Sequence, residues 1–416
     1  MGDFRRLAEE DLEDYARIVR HAYPSIGSRS SESIAEYAQK LADRAENDPR
    51  ISYHGLYRDG RMLGGLYLND FRMNFRGRMV PALGVSLVAV DLAHKRRHVC
   101  KEMMEAVLRR MEAGDYALTA LYPFRADFYR RMGFGFGSPV YELDLDPAVL
   151  PHSDLRDRVR LLNGESASEA LELYNEMLAG TNGLLEKREQ ELRDPVERGD
   201  TCLAAYGEAG RVRGYALFRF GKPPKSNFLL YDLEVLELVH DGPKALTGLL
   251  AFLAAQSDQV RRIRIYTHDL KLAYRFQNPA TRDRRLLPRV HHPVAVAGIG
   301  VMYRFADPGE TLSLFASTGP AESIPPVELV VEDDFIWKGA RSLTLCEEGG
   351  RITMCQRAPT SEIRVRIDAF SSLAAGSMTL ADLVRLGIAE CRGDCPVEEL
   401  SRALEADRPP VCLTGF

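Results

Sequence analysis

The stretch Val85-Ser86-Leu87-Val88-Ala89-Val90-Asp91-Leu92-Ala93-His94-Lys95-Arg96-Arg97-His98-Val99-Cys100-Lys101 decides the fold. It predicts a β-branched, apolar strand, a basic turn, and a helix from about Val99 to Met111. The first turn of a helix presents N–H groups without intrahelical partners at the positive end of the helix dipole, which suits phosphate. Lys95, Arg96, Arg97 and Lys101 add cations that pair with phosphate oxygens. Downstream lies Leu121-Tyr122-Pro123-Phe124-Arg125-Ala126-Asp127-Phe128-Tyr129-Arg130-Arg131-Met132-Gly133-Phe134-Gly135, an aromatic and basic segment ending in Gly-Phe-Gly.

Outward from that stretch, residues 1–150 read as one α/β unit. Helical spacing covers Asp11 to Ala22 and Ser31 to Glu46. Strands are expected at Ile51 to Tyr57, Arg61 to Phe71 and Arg78 to Val90, with a hairpin turn at Asp59-Gly60. Tyr116–Tyr122, a short helix near Ala126–Met132 and a strand at Val140–Leu145 complete the unit. Residues 151–305 repeat that order, with a long strand at Asn227–Val239 and a helix at Gly242–Ala255. Its turn, Val239-His240-Asp241-Gly242-Pro243-Lys244, has lost the basic cluster, so this second unit is expected to be a degenerate copy. Residues 306–416 differ in character. Val327–Val331, Arg341–Glu347, Arg351–Arg357 and Ile363–Ile367 alternate like a half-exposed antiparallel sheet, and three helices follow. The tail Val411-Cys412-Leu413-Thr414-Gly415-Phe416, after Pro409-Pro410, is apolar and reads as docked.

A chain of 416 residues outgrows a single core. The net charge of −5 gives no reason to expect nucleic acid or an anionic membrane as partner. No apolar run approaches the roughly 20 residues that span a bilayer, and the first residues lack the apolar centre of a signal peptide. A cytoplasmic location is therefore expected. The seven cysteines are odd in number and scattered, which suits a reducing compartment better than a disulfide framework. Cys391 and Cys395 lack a second Cys/His pair at metal spacing, so they read as small residues near a helix start rather than zinc ligands.

Strand, basic turn, helix, strand and Gly-Phe-Gly segment together resemble a CoA-dependent N-acetyltransferase of the GNAT type. Over its whole length the chain resembles the enhanced intracellular survival family. That resemblance implies an α+β chain: two tandem GNAT-like α/β domains, then a sterol-carrier-protein-like domain. It implies acetyl-CoA as co-substrate, an amine acceptor such as an aminoglycoside or other polyamine, no metal, and a homo-oligomer, a hexamer in the family. Carried over residue by residue, it points to Val88, Ala89 and Val90 as strand groups on acetyl-CoA. Arg96, Arg97, His98, Val99, Cys100 and Lys101 would hold the pyrophosphate, with Phe124 and Arg125 lining the cofactor. Tyr129 would be the general acid, and the α-carboxylate of Phe416 the general base.

The usual turn of that fold is Arg/Gln-x-x-Gly-x-Gly/Ala, and here it is Lys95-x-x-His98-x-Cys100. Glycine lets backbone N–H groups approach phosphate closely with no Cβ in the way, so His98 either strains that approach or replaces part of it with a side-chain donor. Each functional reading has a plain alternative: Tyr129 packs the helix end, Phe416 plugs a core, and Cys100 is either a small residue beside phosphate or an activated thiol. The rival for the whole chain is a non-catalytic protein holding an apolar ligand in its third domain.

Overall fold

The structure, a computed structural model, describes residues 2–223, 226–282, 285–315, 324–349 and 351–416. In chain order the first elements are β1 (Asp3–Arg6), α1 (Leu12–Ala22), α2 (Ser31–Asn47), β2 (Ile51–Arg58), β3 (Arg61–Phe75) and β4 (Arg78–Val90). Next come α3 (Val99–Arg110), β5 (Leu118–Leu121), α4 (Ala126–Arg130) and β6 (Gly135–Phe136). They are followed by β7 (Val140–Leu145), β8 (Val159–Leu162), α5 (Ala167–Leu178), α6 (Glu189–Glu197), β9 (Cys202–Glu208), β10 (Arg211–Phe220) and β11 (Tyr231–His240). Then α7 (Pro243–Ala254), β12 (Val260–Thr267), β13 (Val296–Gly298), β14 (Met302–Phe305) and α8 (Pro308–Ser313) occur. The last part holds β15 (Val327–Asp333), β16 (Gly339–Glu348), β17 (Arg351–Cys355), β18 (Ser361–Arg366), α9 (Ile367–Ala375), α10 (Leu380–Arg385), β19 (Ala389–Arg392) and α11 (Val397–Leu404).

These elements form two compact units that do not follow chain order. One comprises the chain through Gly137, Val301–Pro410 and Gly415–Phe416; the other comprises Ser138–Gly300 and Val411–Thr414. The strand at Val140–Leu145, read from sequence with the first unit, lies in the second sheet between β12 and β13. In the first sheet β14 pairs antiparallel with both β5 and β6. The alternation Val-Tyr-Glu-Leu-Asp-Leu specifies a pleated strand with one buried face, but it carries no label for the sheet that receives it.

The first sheet has the order β1-β2-β3-β4-β5-β14-β6, and only β4 and β5 run parallel. The two faces bury different helices. Tyr15, Ile18, Val19, Ile34 and Leu41 of α1 and α2 meet Tyr53 and Tyr67 on one face. On the other, α3 packs Val99, Met103, Met104, Val107 and Leu108 against Leu66, Leu83 and Val85. That three-and-four spacing on α3 is the stripe legible in the sequence.

Within the same unit, the last sheet has the order β17-β16-β15-β18-β19. It is mixed rather than antiparallel, because β15 and β18 run parallel. Alternation marks a half-buried strand of either sense, so strand direction was not in the pattern. Cys346 and Cys355 are joined across β16 and β17, with Cα atoms 6.0 Å apart, so two cysteines read as part of a scattered thiol set form one disulfide. Helix α9 is buried along its entire length, between β15 and β18 on one side and β6 and β14 on the other. Arg76 donates to the carbonyls of Leu373 (2.9 Å), Ala374 (3.0 Å) and Leu404 (2.7 Å), satisfying helix-end acceptors. Arg304 of β14 is fully buried; it donates to the Met132 carbonyl at 2.8 Å and pairs with Asp333 of β15. Removing either partner of such a pair leaves a buried charge uncompensated.

The second unit has a sheet of order β13-β7-β12-β11-β10-β9-β8, with β11 and β12 parallel. Its core gathers Leu233, Val235, Leu249, Leu253, Ile263 and Ile265 around α7, which starts with Pro243 at its first turn. Among the described residues no helix is long and apolar enough to cross a membrane.

Candidate functional site

The strand quoted at the outset separates from its parallel neighbour where the candidate site begins. β4 pairs with β5 from Ala82 to Val85 only, yet continues to Val90. Along Ser86–Val90 no strand pairs with that edge among the described residues. On its other edge β4 bulges: Ser86 stands opposite Tyr67 and Ala89 opposite Gly65, so Leu87 and Val88 together face Leu66. Leu87 takes φ +49° at the bulge. The Leu87 carbonyl accepts a hydrogen bond from the Tyr15 hydroxyl (2.8 Å) and the Val88 carbonyl accepts one from Tyr23 (2.7 Å). The bulge is thus pinned from α1, and the open edge keeps its irregular shape.

After Val90, Asp91 accepts from the Ala93 N–H at 2.8 Å and lies 3.2 Å from His94 Nδ1, which fixes the turn. Lys95, Arg96 and Arg97 are exposed and make no ion pair among the described residues. Arg96 (φ +64°) and His98 (φ +61°) are both left-handed, and His98 is the residue before α3. The position where the family prefers glycine is therefore one where this backbone needs positive φ. Histidine tolerates that region better than a branched residue does. His98→Val is expected to cost on the order of 1–2 kcal/mol of stability, read as a lower thermal midpoint. An unchanged midpoint would show that the turn relaxes freely.

The remaining candidates divide. Val99 is buried against the sheet and Cys100 is half-buried; burial pushes the Cys100 thiol up to about 12, so it is no nucleophile at neutral pH. Lys101 lies 5.7 Å from the Phe335 ring centroid. Phe124 is 72% exposed, and its ring lies 6.5 Å from that of Tyr129. Arg125 pairs with Asp127 at 2.7 Å, and Asp127 also holds Arg131 at 3.0 Å. Tyr129 has a buried ring between Phe128 and Phe134, but its hydroxyl donates to no group among the described residues. Burial raises its pKa, with Cys100 and Tyr23 adding smaller pushes in the same direction.

The Phe416 ring sits 5.3 Å from Phe71 and 5.1 Å from Tyr122, over Gly84 of β4. A Cβ at Gly84 would lie 2.7 Å from Phe71 and 3.0 Å from Phe416. Gly84 directly precedes the last β4–β5 pair, so the tail reaches the base of the open edge. Sequence reasoning passed over Gly84, Tyr23 and Tyr122. The signal for Gly84 was a glycine inside an otherwise branched strand, a mark of close approach.

The second unit treats the same features differently. Its β11 also bulges, at Leu236, and also outruns the β11–β12 pairing. There the buried Glu237 carboxylate accepts from the Tyr215 hydroxyl (2.8 Å) and pairs with buried Lys187. Asp241 in the turn pairs with Arg213 at 2.6 Å and Lys244 with Glu208 at 3.3 Å, so the turn carries no free cations comparable to Lys95–Arg97.

Comparison with known proteins finds a family match for each of three segments of the chain. Residues 3–137 and 183–295 match acetyltransferase (GNAT) domain families, and residues 311–413 match a sterol carrier protein domain family. The architecture is therefore α+β: two GNAT domains and a sterol-carrier-type domain. The chain is 32% identical over 369 residues to an uncharacterised N-acetyltransferase of Streptomyces coelicolor, covering 83% of this chain and 84% of that one. A second uncharacterised N-acetyltransferase, of Streptomyces avermitilis, is 30% identical over 273 residues, 60% of this chain and 63% of the relative. N-acetyltransferase Eis of Mycobacterium tuberculosis is 34% identical over 82 residues, 20% of each chain. Among solved structures, a GCN5-related N-acetyltransferase from Kribbella flavida shares the fold at TM-score 0.77 and 20% identity, covering 100% of this chain and 99% of that one. Eis1 from Mycobacterium abscessus does so at 0.74 and 18%, covering 100% of both. The chain belongs to the GNAT N-acetyltransferases.

Proposed function

We propose that the first unit binds acetyl-CoA along the open edge of β4 and transfers the acetyl group directly to a primary amine. The observation that carries this is the unpaired stretch Ser86–Val90, leading straight into an unneutralised Lys95–Arg97 turn at the start of α3. A strand edge offers backbone donors and acceptors to an extended ligand arm, and the helix start offers donors and positive charge to its phosphates. Val88, Ala89 and Val90 are the edge groups; Arg96, Arg97, His98, Val99, Cys100 and Lys101 form the phosphate end; Phe124 and Arg125 flank it.

In this reading the Phe416 carboxylate takes the amine proton, directly or through water. An N–H near Val88 meets the oxyanion as the C–N bond forms. The Tyr129 hydroxyl donates to the sulfur as the C–S bond breaks, and its raised pKa keeps it protonated at working pH. The second unit, with Glu237 and Lys187 buried at its own bulge, is a degenerate copy. The rival reading, a passive apolar-ligand carrier, leaves the free basic turn and the unpartnered Tyr129 hydroxyl without a role.

Calorimetry with acetyl-CoA tests the site. Replacing Arg96→Ala together with Arg97→Ala should weaken binding by about 1.5–3 kcal/mol, the worth of a charge-assisted contact. It should raise the cofactor KM more than it lowers kcat. Undiminished affinity in the folded double variant contradicts the assignment. We also propose a homo-oligomer. Phe228, Val290 and Tyr274, at 72%, 76% and 80% exposed, supply apolar surface for association. Light scattering at micromolar concentration should return more than one protomer, and a stable monomer would contradict it.

A further inference from the structure

We propose that the first unit carries an anion subsite built from Arg20, Arg44 and Tyr53, and that its acceptor is an amine with an aromatic or apolar body that also bears a carboxylate. The inference rests on the transferase reading above.

Arg20, on the last turn of α1, is only 6% exposed. Its guanidinium lies 4.5 Å over the Tyr37 ring and donates to the Ser33 carbonyl at 3.4 Å. Its Nε is buried without a partner, and no carboxylate pairs with it among the described residues. A buried guanidinium without a counter-charge is costly, so the site is incomplete as it stands. Arg44 of α2 lies 4.9 Å over Tyr67 and also pairs with no carboxylate among the described residues. Tyr53 is 4% exposed, its ring edge-on to Tyr67 at 5.7 Å, and its hydroxyl is buried and unpartnered. Arg20 over Tyr37, and Arg44 and Tyr53 on Tyr67, are therefore three polar groups without a counter-charge among the described residues.

Among the described residues no carboxylate pairs with these three groups, although Glu10, Glu13 and Asp14 line a cavity with Arg17, Ser31 and Ile34 of the same two helices. Asp48 is committed to Arg50, whose guanidinium lies over Phe71, and Asp43 accepts from Gln39. Glu36 of α2 is exposed. A polycation would meet guanidinium groups and rings here rather than carboxylates. The location ties the subsite to the reaction. Tyr67 shares a β3 face with Phe71, which holds the Phe416 ring, and stands opposite Ser86, beside the bulge at Leu87–Val88. An amine delivered to the bulge would thus carry its own carboxylate toward Arg44 and Arg20.

Matched acceptors test this. Phenylalanine should exceed phenethylamine in kcat/KM by about tenfold or more, the worth of one charge-assisted hydrogen bond. Arg44→Glu, on an exposed helix position, should erase that preference through KM. Calorimetry with 3-phenylpropionate, which has no amine, reads the subsite without catalysis and should show binding that Arg44→Glu abolishes. Preference for spermidine, with no 3-phenylpropionate bound, overturns the subsite alone. 3-Phenylpropionate bound without transfer to any amine overturns the transferase reading and leaves the subsite standing. Equal use of the matched pair by the unaltered protein means Arg20 and Arg44 only bridge α1 and α2, and the inference falls.

Discussion

One glycine added after Phe416 is expected to abolish acetyl transfer in a protein that still folds and still binds acetyl-CoA. The Phe416 ring is anchored between Phe71 and Tyr122 over Gly84, and the proposed reading uses that anchor to hold its α-carboxylate near the base of the open β4 edge. An added residue moves the charge by up to about 3.6 Å, beyond hydrogen-bond reach. Deleting Phe416 should have the same effect. Gly84→Ala approaches the question from the sheet: its Cβ would meet the Phe416 ring at 3.0 Å and Phe71 at 2.7 Å. That variant should lower kcat with little change in cofactor affinity. Full turnover from the extended chain would assign the base to another group.

Tyr129→Phe is expected to slow turnover by roughly 10²–10⁴-fold, the usual worth of a positioned acid, with the fold and acetyl-CoA affinity kept. Among the described residues the hydroxyl has no hydrogen-bond partner to lose, so the substitution removes chemistry and little packing. The sign of its pKa shift adds a second readout. Burial raises the Tyr129 pKa, so the acid form persists upward in pH rather than being lost early. The unaltered enzyme should show no alkaline loss of rate from this group below about pH 10, the ordinary tyrosine value. Full activity of Tyr129→Phe would reduce the residue to packing.

Some of this was legible in the chain because it is local. The apolar strand, the basic turn and the amphipathic stripe of α3 occupy one contiguous stretch, and the structure keeps them contiguous. The departure from glycine at His98 was legible as a question of close approach to phosphate, but the αL backbone there was not. What was not legible depends on partners distant in sequence. The four-residue β14 is too short to show a period, yet it fills the first sheet between β5 and β6. The direction of β18 beside β15 is set by the path of the chain, not by which residues face inward. Gly84, Tyr23 and Arg20 gain their meaning only from the rings and the carbonyl they meet across the fold.

A crystal structure with acetyl-CoA is the most direct measurement. The thioester arm should lie along Ser86–Val90, with the pyrophosphate at Lys95–Lys101 and the sulfur within hydrogen-bond reach of the Tyr129 hydroxyl. Acetyl-CoA seated instead on β11 of the second unit, or bound with its sulfur away from Tyr129, would contradict the account.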